Sequence, residues 1–383
     1  MQITHVEVVP LQLGLRLPYR AAAHEQEIDR IDCVFVRIET RDGRVAWGCA
    51  AFDPALTGET PEQVLRACRA CADRARDLNP LNTEYALAEL MPLTEGTPSA
   101  CCAFDVAFYD LLGLAAGLPL HRLLGGYRYR IQTSITLNVA PAKETVDMAR
   151  ERARQGFRIL KLKGGLDPEE DVRRVRDVGR ALPELTLRLD AEQGYTIQEA
   201  LDVARALEGK LEMLEQPTPA ADVDALREVT RQSPVPILAD ECVSSPASAL
   251  QIAGQHAAHG LSVKLSTCGG LHCGRQIDAI ARAAQMSTMV GCINEPALLI
   301  AAGLGLALSS PNVRYGDLDG QPVEFRPALP PTISGHEGAV REFLAAIREG
   351  REPSSPATQG LVISRLLDAI YRSAATGREI VLS

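Results

Sequence analysis

From Ile159 to Asp319 short apolar runs end, one after another, in charged or polar residues. They are ILKLK (carrying Lys161 and Lys163), LRLD (Asp190), EMLE (Glu215), PILAD (Asp240), SVKL (Lys264), TMVGC (Cys292) and VRYGDLD (Asp317, Asp319). Successive ends lie 24 to 28 residues apart, which is the length of a strand, a loop and a helix rather than of a hairpin repeat. Between the runs, apolar residues recur at three- and four-residue spacing and predict helices over Pro168 to Leu182, Ile197 to Leu207, Val223 to Arg231, Pro246 to Gln255 and Arg275 to Ala284. With the run IQTSITL ending at Leu137, the units number eight. The pattern predicts an α/β fold, a (β/α)8-type barrel, whose chemistry sits at the carboxyl ends of its strands.

Upstream the pattern changes. ITHVEVVPLQL and DCVFVRIETRDGRVAWGCA alternate like strands, the second as a hairpin turning at Arg41-Asp42-Gly43. Helices are predicted over Thr60 to Asp77, Thr83 to Leu90, and a long apolar stretch ending near Gly117, where Pro119 prevents continuation. The division expected is an α+β capping domain over 1–125, a barrel over 126–320 and an atypical helical tail over 321–383. Two cap loops, Pro18 to Arg30 and Ala50 to Thr60, are expected to close over the barrel mouth and select the substrate.

Composition narrows the function. With 46% hydrophobic residues the 383-residue chain can bury a large core, and a net charge of −9 argues against a nucleic-acid surface. No apolar run is read as approaching the length that spans a bilayer, and MQITHVEVVPL alternates like a strand rather than like a signal segment, so a cytoplasmic protein without a membrane partner is expected. The ten cysteines show no disulfide framework and are read as reduced core residues; Cys268 and Cys273 lack the second close pair that a zinc site needs.

Three successive strands end in Asp190, Glu215 and Asp240. Carboxylates gathered at buried strand ends need a cation, and oxygen donors select Mg2+ or Mn2+ over zinc. Lys161 and Lys163, two apart on the second strand, share an inward face opposite Lys264 on the sixth. Close to a cation, these ammonium groups are expected to have depressed pKa values and to serve as bases. Asp317 and Asp319, again two apart, face the mouth and suit a cationic group such as a substrate ammonium.

KLK at Lys161 to Lys163, LRLDAEQGY, LEQP, ADE and VKLSTCGGL together resemble the enolase superfamily, in its muconate-lactonising subgroup, over about residues 1 to 320. D-x-D on the eighth strand and LTGET in the second cap loop resemble dipeptide epimerases. The resemblance implies a Mg2+-dependent epimerase, an isomerase that removes the proton α to a carboxylate and returns one to the opposite face. Asp190, Glu215 and Asp240 would hold the metal, Lys163 and Lys264 would be the two acid/base groups, and Lys161 would add positive charge. Glu241 and Glu192 would stand behind them, and Asp317, Asp319, His24, Arg20, Thr136 and Asn294 would meet the substrate, a dipeptide or N-acyl amino acid. An N-succinylamino acid racemase, an o-succinylbenzoate synthase-like enzyme or a non-catalytic homologue is the alternative, and a homo-oligomer is expected. Three features depart from the family: Glu192 stands where Asn is usual, His24 with Arg20 nearby stands where Ala-Glu epimerases have an Arg, and the tail resembles the closing helices of glucose-fructose oxidoreductase-like dehydrogenases. No dinucleotide-binding glycine fingerprint follows a strand, so nicotinamide binding is not expected.

Overall fold

The computed structural model describes residues 1–19, 28–320 and 323–324. The amino-terminal part is an antiparallel sheet in the order β12-β1-β2-β3, with β1 (Ile3–Tyr19), β2 (Ile28–Thr40), β3 (Val45–Ala51) and a short β12 (Val323–Glu324) on the outer edge. The hairpin turns where Arg41-Asp42-Gly43 predicts, with Gly43 at φ +81, a conformation that costs a residue without a Cβ little. Then come α1 (Pro54–Thr57), α2 (Pro61–Ala75), α3 (Thr83–Leu90), α4 (Pro98–Ala116) and α5 (Leu120–Leu123). Thr60 and Gln63 form a capping box at the start of α2, and Gly117, at φ +65, ends α4.

One core joins one face of this sheet to α2, α3 and α4, through Val34, Val36 and Ile38 against Phe104, Phe108 and Leu111. At its closest approach, a Cβ on Gly48 would lie 1.7 Å from the carbonyl oxygen of Ala103 in α4, so only glycine lets strand and helix meet there. Here one expectation is corrected, since α4 is long and apolar enough to cross a membrane by length and composition. Yet 72% of it is buried inside the protein, as a core helix must be.

Among the described residues, eight parallel strands make the second sheet: β4 (Ile135–Leu137), β5 (Ile159–Lys163), β6 (Thr186–Asp190), β7 (Met213–Glu215), β8 (Ile237–Ala239), β9 (Gly260–Lys264), β10 (Ser287–Gly291) and β11 (Val313–Gly316). They neighbour one another in chain order. A parallel bridge between Thr133 and Gly316, with the Ser134 amide donating to Gly316 O at 3.1 Å, joins the two ends into a barrel. Helices α6 (Ala142–Arg154), α7 (Pro168–Ala181), α8 (Ile197–Ala206), α9 (Val223–Gln232), α10 (Pro246–Gly254), α11 (Leu265–Cys268), α12 (Leu271–Ala283) and α13 (Ala297–Ser309) connect them.

The five predicted barrel helices are present, and four match to within a residue at either end. The fifth, α12, starts four residues before Arg275, because buried Asp105 of α4 accepts from the amides of Leu271 (2.5 Å) and His272 (3.1 Å) and so caps it from across the chain. A Cβ on Gly270, at φ +110, would strike the same carboxylate. This contact ties the long cap helix to the barrel.

Asp105→Ala is therefore expected to destabilise the protein by about 2 kcal/mol, the loss of two hydrogen bonds at about 1 kcal/mol each, because burial pushes this carboxyl up to about 7 and weakens its charge. The melting temperature should fall by a few degrees. Asp105→Asn, whose amide oxygen still accepts, should lose less, and equal melting temperatures for wild type and the alanine variant would show that the contact is not a fastening.

Candidate active site

Residues of β5 are all buried, but for two different reasons. Leu160 and Leu162 face the surrounding helices, while Lys161 and Lys163, on the alternate positions, face the barrel interior. Parallel register aligns Lys163 with Asp190 on β6, and Asp190 with Glu215 on β7. Asp240 follows β8 directly, where its amide donates to the Gln216 side chain at 2.8 Å. Lys264 closes β9, the sixth barrel strand, and so lies across the barrel from β5, the second.

The resulting cluster is tight. The Lys161 ammonium lies 3.0 Å from Asp190 Oδ2, 3.1 Å from Glu215 Oε2 and 2.7 Å from Asp317 Oδ2. Lys163 donates to Asp190 Oδ2 at 2.9 Å and to Glu192 Oε1, and Lys264 to Asp240 Oδ2 at 2.5 Å. Asp190 and Glu215 are fully buried.

Burial opposes the charge of Asp190, but Lys161, Lys163 and Lys264 overcome it and hold this carboxyl below the usual range. Glu215 goes the other way: burial, reinforced by Asp190, Asp240 and Asp317, raises it well above the usual value against the pull of Lys161. Burial lowers Lys161 and Lys264, yet the surrounding carboxylates outweigh it and raise both. Half-buried Glu241 is pushed up to about 8, first by desolvation and then by Asp240, with Lys264 pulling it down.

The donor set fits a hard divalent cation. Carboxylate oxygens of Asp190, Glu215 and Asp240 lie within 4.8 Å of one another, the one such group among the described residues. Neither oxygen of Glu215 accepts a hydrogen bond among the described residues; the Lys161 contact is an ion pair without hydrogen-bond geometry. Buried carboxylate oxygens left this way are costly unless a cation claims them. Cysteines take no part in that group. All ten are free, seven of them are buried, and the rest are half-buried.

Above the cluster opens a cavity. From the barrel, Thr136, Asn294, Asp317 and Asp319 line it together with the three lysines, Glu192, Glu241, Cys292 and Ile293; from the second cap loop come Asp53 and Leu56. The two aspartates of the eighth strand differ. Asp317 is 2% exposed and committed to Lys161 and Ser134, whereas half-buried Asp319 accepts from the Thr136 amide at 2.6 Å and its other oxygen, among the described residues, meets Cys292 Sγ at 3.9 Å. Arg20 and His24, the first cap loop around them, and the tail apart from β12 lie outside the described residues.

Supporting residues escape a reading by motif. Arg188, two residues before Asp190 and so on the same inward face, lies beneath the site; it donates to Gly316 O (3.1 Å) and Ser134 Oγ (3.3 Å) at the seam of the barrel, and to Glu212 (2.7 Å). Arg174 of α7 donates to Lys163 O at 2.6 Å and to Asp171 at 2.9 Å, while Asp171 accepts from the Gly165 amide and the Tyr195 hydroxyl. That network holds the loops after β5 and β6 together. Buried Glu59 of LTGET accepts from the amide and hydroxyl of Ser99, anchoring the second cap loop to the start of α4. Buried charge in an element that reads as amphipathic was the available signal for Arg174 and Asp171.

Comparison with known proteins places these elements in a family. Residues 3–125 match the N-terminal domain of mandelate racemase and muconate lactonizing enzymes, and residues 144–344 match the enolase C-terminal domain-like family. The chain is 37% identical over 331 residues to an L-Lys-D/L-Arg epimerase of Methylococcus capsulatus, covering 84% of this chain and 90% of that protein. It is similar to the dipeptide epimerase of Enterococcus faecalis V583 complexed with Mg and the dipeptide L-Leu-L-Tyr, with a TM-score of 0.81 and 33% identity over 84% of this chain and 91% of that one. An N-succinyl Arg/Lys racemase of Bacillus cereus is similar with a TM-score of 0.80 and 26% identity, over 84% and 88% of the two chains.

Mg2+ is expected to raise the melting temperature of the wild type, since a ligand at a hundred times its dissociation constant adds about 2.7 kcal/mol. Asp190→Asn, Glu215→Gln and Asp240→Asn should each weaken Mg2+ binding on the order of tenfold or more by calorimetry. Because Glu215 is raised by burial, neutralising it should leave the metal-free melting temperature at or above that of the wild type. Undiminished Mg2+ affinity in any of the three would remove that residue from the site.

Proposed function

The chain belongs to the enolase superfamily, in the branch of mandelate racemase and muconate lactonizing enzymes, and on that footing we propose that it is a Mg2+-dependent dipeptide epimerase. The observation that carries this reading is the pair of lysines on opposite strands of one barrel, Lys163 and Lys264, which line one cavity together with Asp317 and Asp319 of the eighth strand and each touch a carboxylate of the acid triad.

Asp190, Glu215 and Asp240 would hold Mg2+, which supplies Lewis-acid charge to the substrate carboxylate. Lys161, committed to Asp317 at 2.7 Å, stands next to that charge and adds a fixed positive one. Lys163 and Lys264 approach the α-carbon from opposite sides. One, as the free amine, takes the α-proton; the other, as the ammonium, returns a proton to the other face. With the substrate reversed, the roles exchange, so either epimer is accepted.

The dipeptide's amino terminus has its partner in Asp319, whose Oδ1 makes a weak contact with Cys292 among the described residues. Cys292, Ile293 and Asn294 line the wall, and Asp53 and Leu56 close the cavity from the cap. An N-acylated amino acid would be served by the same lysines and metal. It lacks the ammonium group that an acidic end of the cavity attracts, and the free dipeptide is therefore preferred. A screen of L,L-dipeptides with Mg2+ in D2O, read by mass, tests the reading: uptake of one deuterium at the α-carbon of the carboxyl-terminal residue supports it, and no uptake by any dipeptide overturns it.

Two further outcomes are expected. Lys163→Ala should lose α-proton exchange with one configuration of substrate and Lys264→Ala with the other, while each keeps exchange with the configuration that the remaining lysine serves. Equal loss of both in both variants contradicts two opposed bases. N-acetylation of a good dipeptide should lower kcat/KM by roughly tenfold to a hundredfold, the worth of about 1.5 to 3 kcal/mol in a charge-assisted contact. Asp319→Asn should lower kcat/KM for the free dipeptide to a similar extent and affect the acetylated one much less.

A further inference from the structure

Each lysine of the cluster touches a carboxylate of the acid triad, and two of them also touch a carboxylate outside it. Lys161 is shared between Asp190 with Glu215 on one side and Asp317 on the other. Lys163 is shared between Asp190 and Glu192. A cation held by the triad competes with both ammonium groups for the same oxygens, above all for Asp190 Oδ2, which both lysines touch. Each lysine needs a second acceptor once the cation is present. Asp317 is that acceptor for Lys161, and Glu192 is placed to be the one for Lys163.

The chain bends its backbone to put Glu192 there. Glu192 and Gln193 both take positive φ, +42 and +68, the left-handed region that side-chain-bearing residues rarely occupy. The turn is held by the Glu192 amide donating to Asp190 Oδ1 (3.1 Å), the Gln193 amide donating to Gln216 O (2.8 Å) and the Gln193 side chain accepting from the Ala220 amide (2.9 Å). The reversal carries residue 192 back over Asp190, buried at 5% exposure, with its carboxylate on the Lys163 ammonium and on the wall of the cavity. An amide at this position could not balance the ammonium charge.

We propose that Glu192 is a positioning residue that takes over the Lys163 ammonium when a cation claims Asp190, leaving Asp190 to the metal and Lys163 to one face of the substrate. The second half of that statement rests on the epimerase reading; the first does not. The test separates them. Mg2+ binding to the substrate-free protein is measured by calorimetry for wild type, Glu192→Gln, Lys163→Met and the double variant. Glu192→Gln retains size and removes charge, so Lys163 keeps its hold on Asp190 against the cation, and the Mg2+ dissociation constant should rise about tenfold. In the Lys163→Met background there is no ammonium to hold, and the same substitution should change the constant by less than about threefold. An equal effect in both backgrounds, or none in either, overturns the proposal regardless of the reaction catalysed.

With a dipeptide that exchanges in D2O, Glu192→Gln should slow exchange on the face served by Lys163 about tenfold and leave the face served by Lys264 within about twofold. Equal slowing on both faces would reduce Glu192 to a general support of the site and contradict the proposal. If the wild type exchanges no dipeptide, the epimerase reading fails, and the calorimetric cycle alone decides whether Glu192 holds Lys163.

Discussion

The cost of burying charge governs this molecule. Asp190, Glu215, Asp240 and Asp317 sit with three ammonium groups inside a barrel, where any one of them alone would be strongly destabilising. They are tolerated because each carboxylate lies against an ammonium, yet the balance is incomplete: the oxygens of Glu215 lack hydrogen bonds, and Glu241 is pushed up to about 8. A site so composed is poised for a divalent cation, and its lysines are held in place before any substrate arrives.

The barrel provides the geometry for this. Parallel register lines up Lys163, Asp190 and Glu215 on neighbouring strands, and four strands of separation set Lys264 opposite Lys163. Beneath them, Arg188 fastens β6 to the seam where β4 meets β11. Above them, the cap is fixed twice to the same helix: Asp105 of α4 caps α12, and Glu59 ties the second cap loop to the start of α4. The loop bearing Asp53 and Leu56 is thus referenced to the same frame as the lysines, which is how a lid can choose a substrate without loosening the catalytic groups.

Local periodicity made much of this legible in the sequence. Runs that alternate or end in charge, spaced by one βα unit, identify all eight barrel strands, because strand faces have a period of two and the charges fall on one face. What stayed hidden depends on pairs distant in the chain. The tie between Lys161 and Asp317 spans 156 residues, and the cap that Asp105 places on α12 spans 166. Helix α13 is apolar on every side and shows no period, and α4 reads by composition like a membrane segment although it is a core helix. The balance at the lysines was hidden as well, because it depends on how many carboxylates surround each ammonium, and these alone raise Lys161 and Lys264. Glu192, by contrast, was visible as a departure from the family pattern, and only the backbone turn shows which lysine it serves.

The most direct measurement is a crystal structure of the protein with Mg2+ and an L,L-dipeptide. The account predicts the α-carbon of the second residue between the Lys163 and Lys264 side chains, the ion on Asp190, Glu215 and Asp240, and the dipeptide ammonium on Asp319. A dipeptide whose α-carbon has both lysines on one side, or whose carboxylate lies away from the triad, would contradict it.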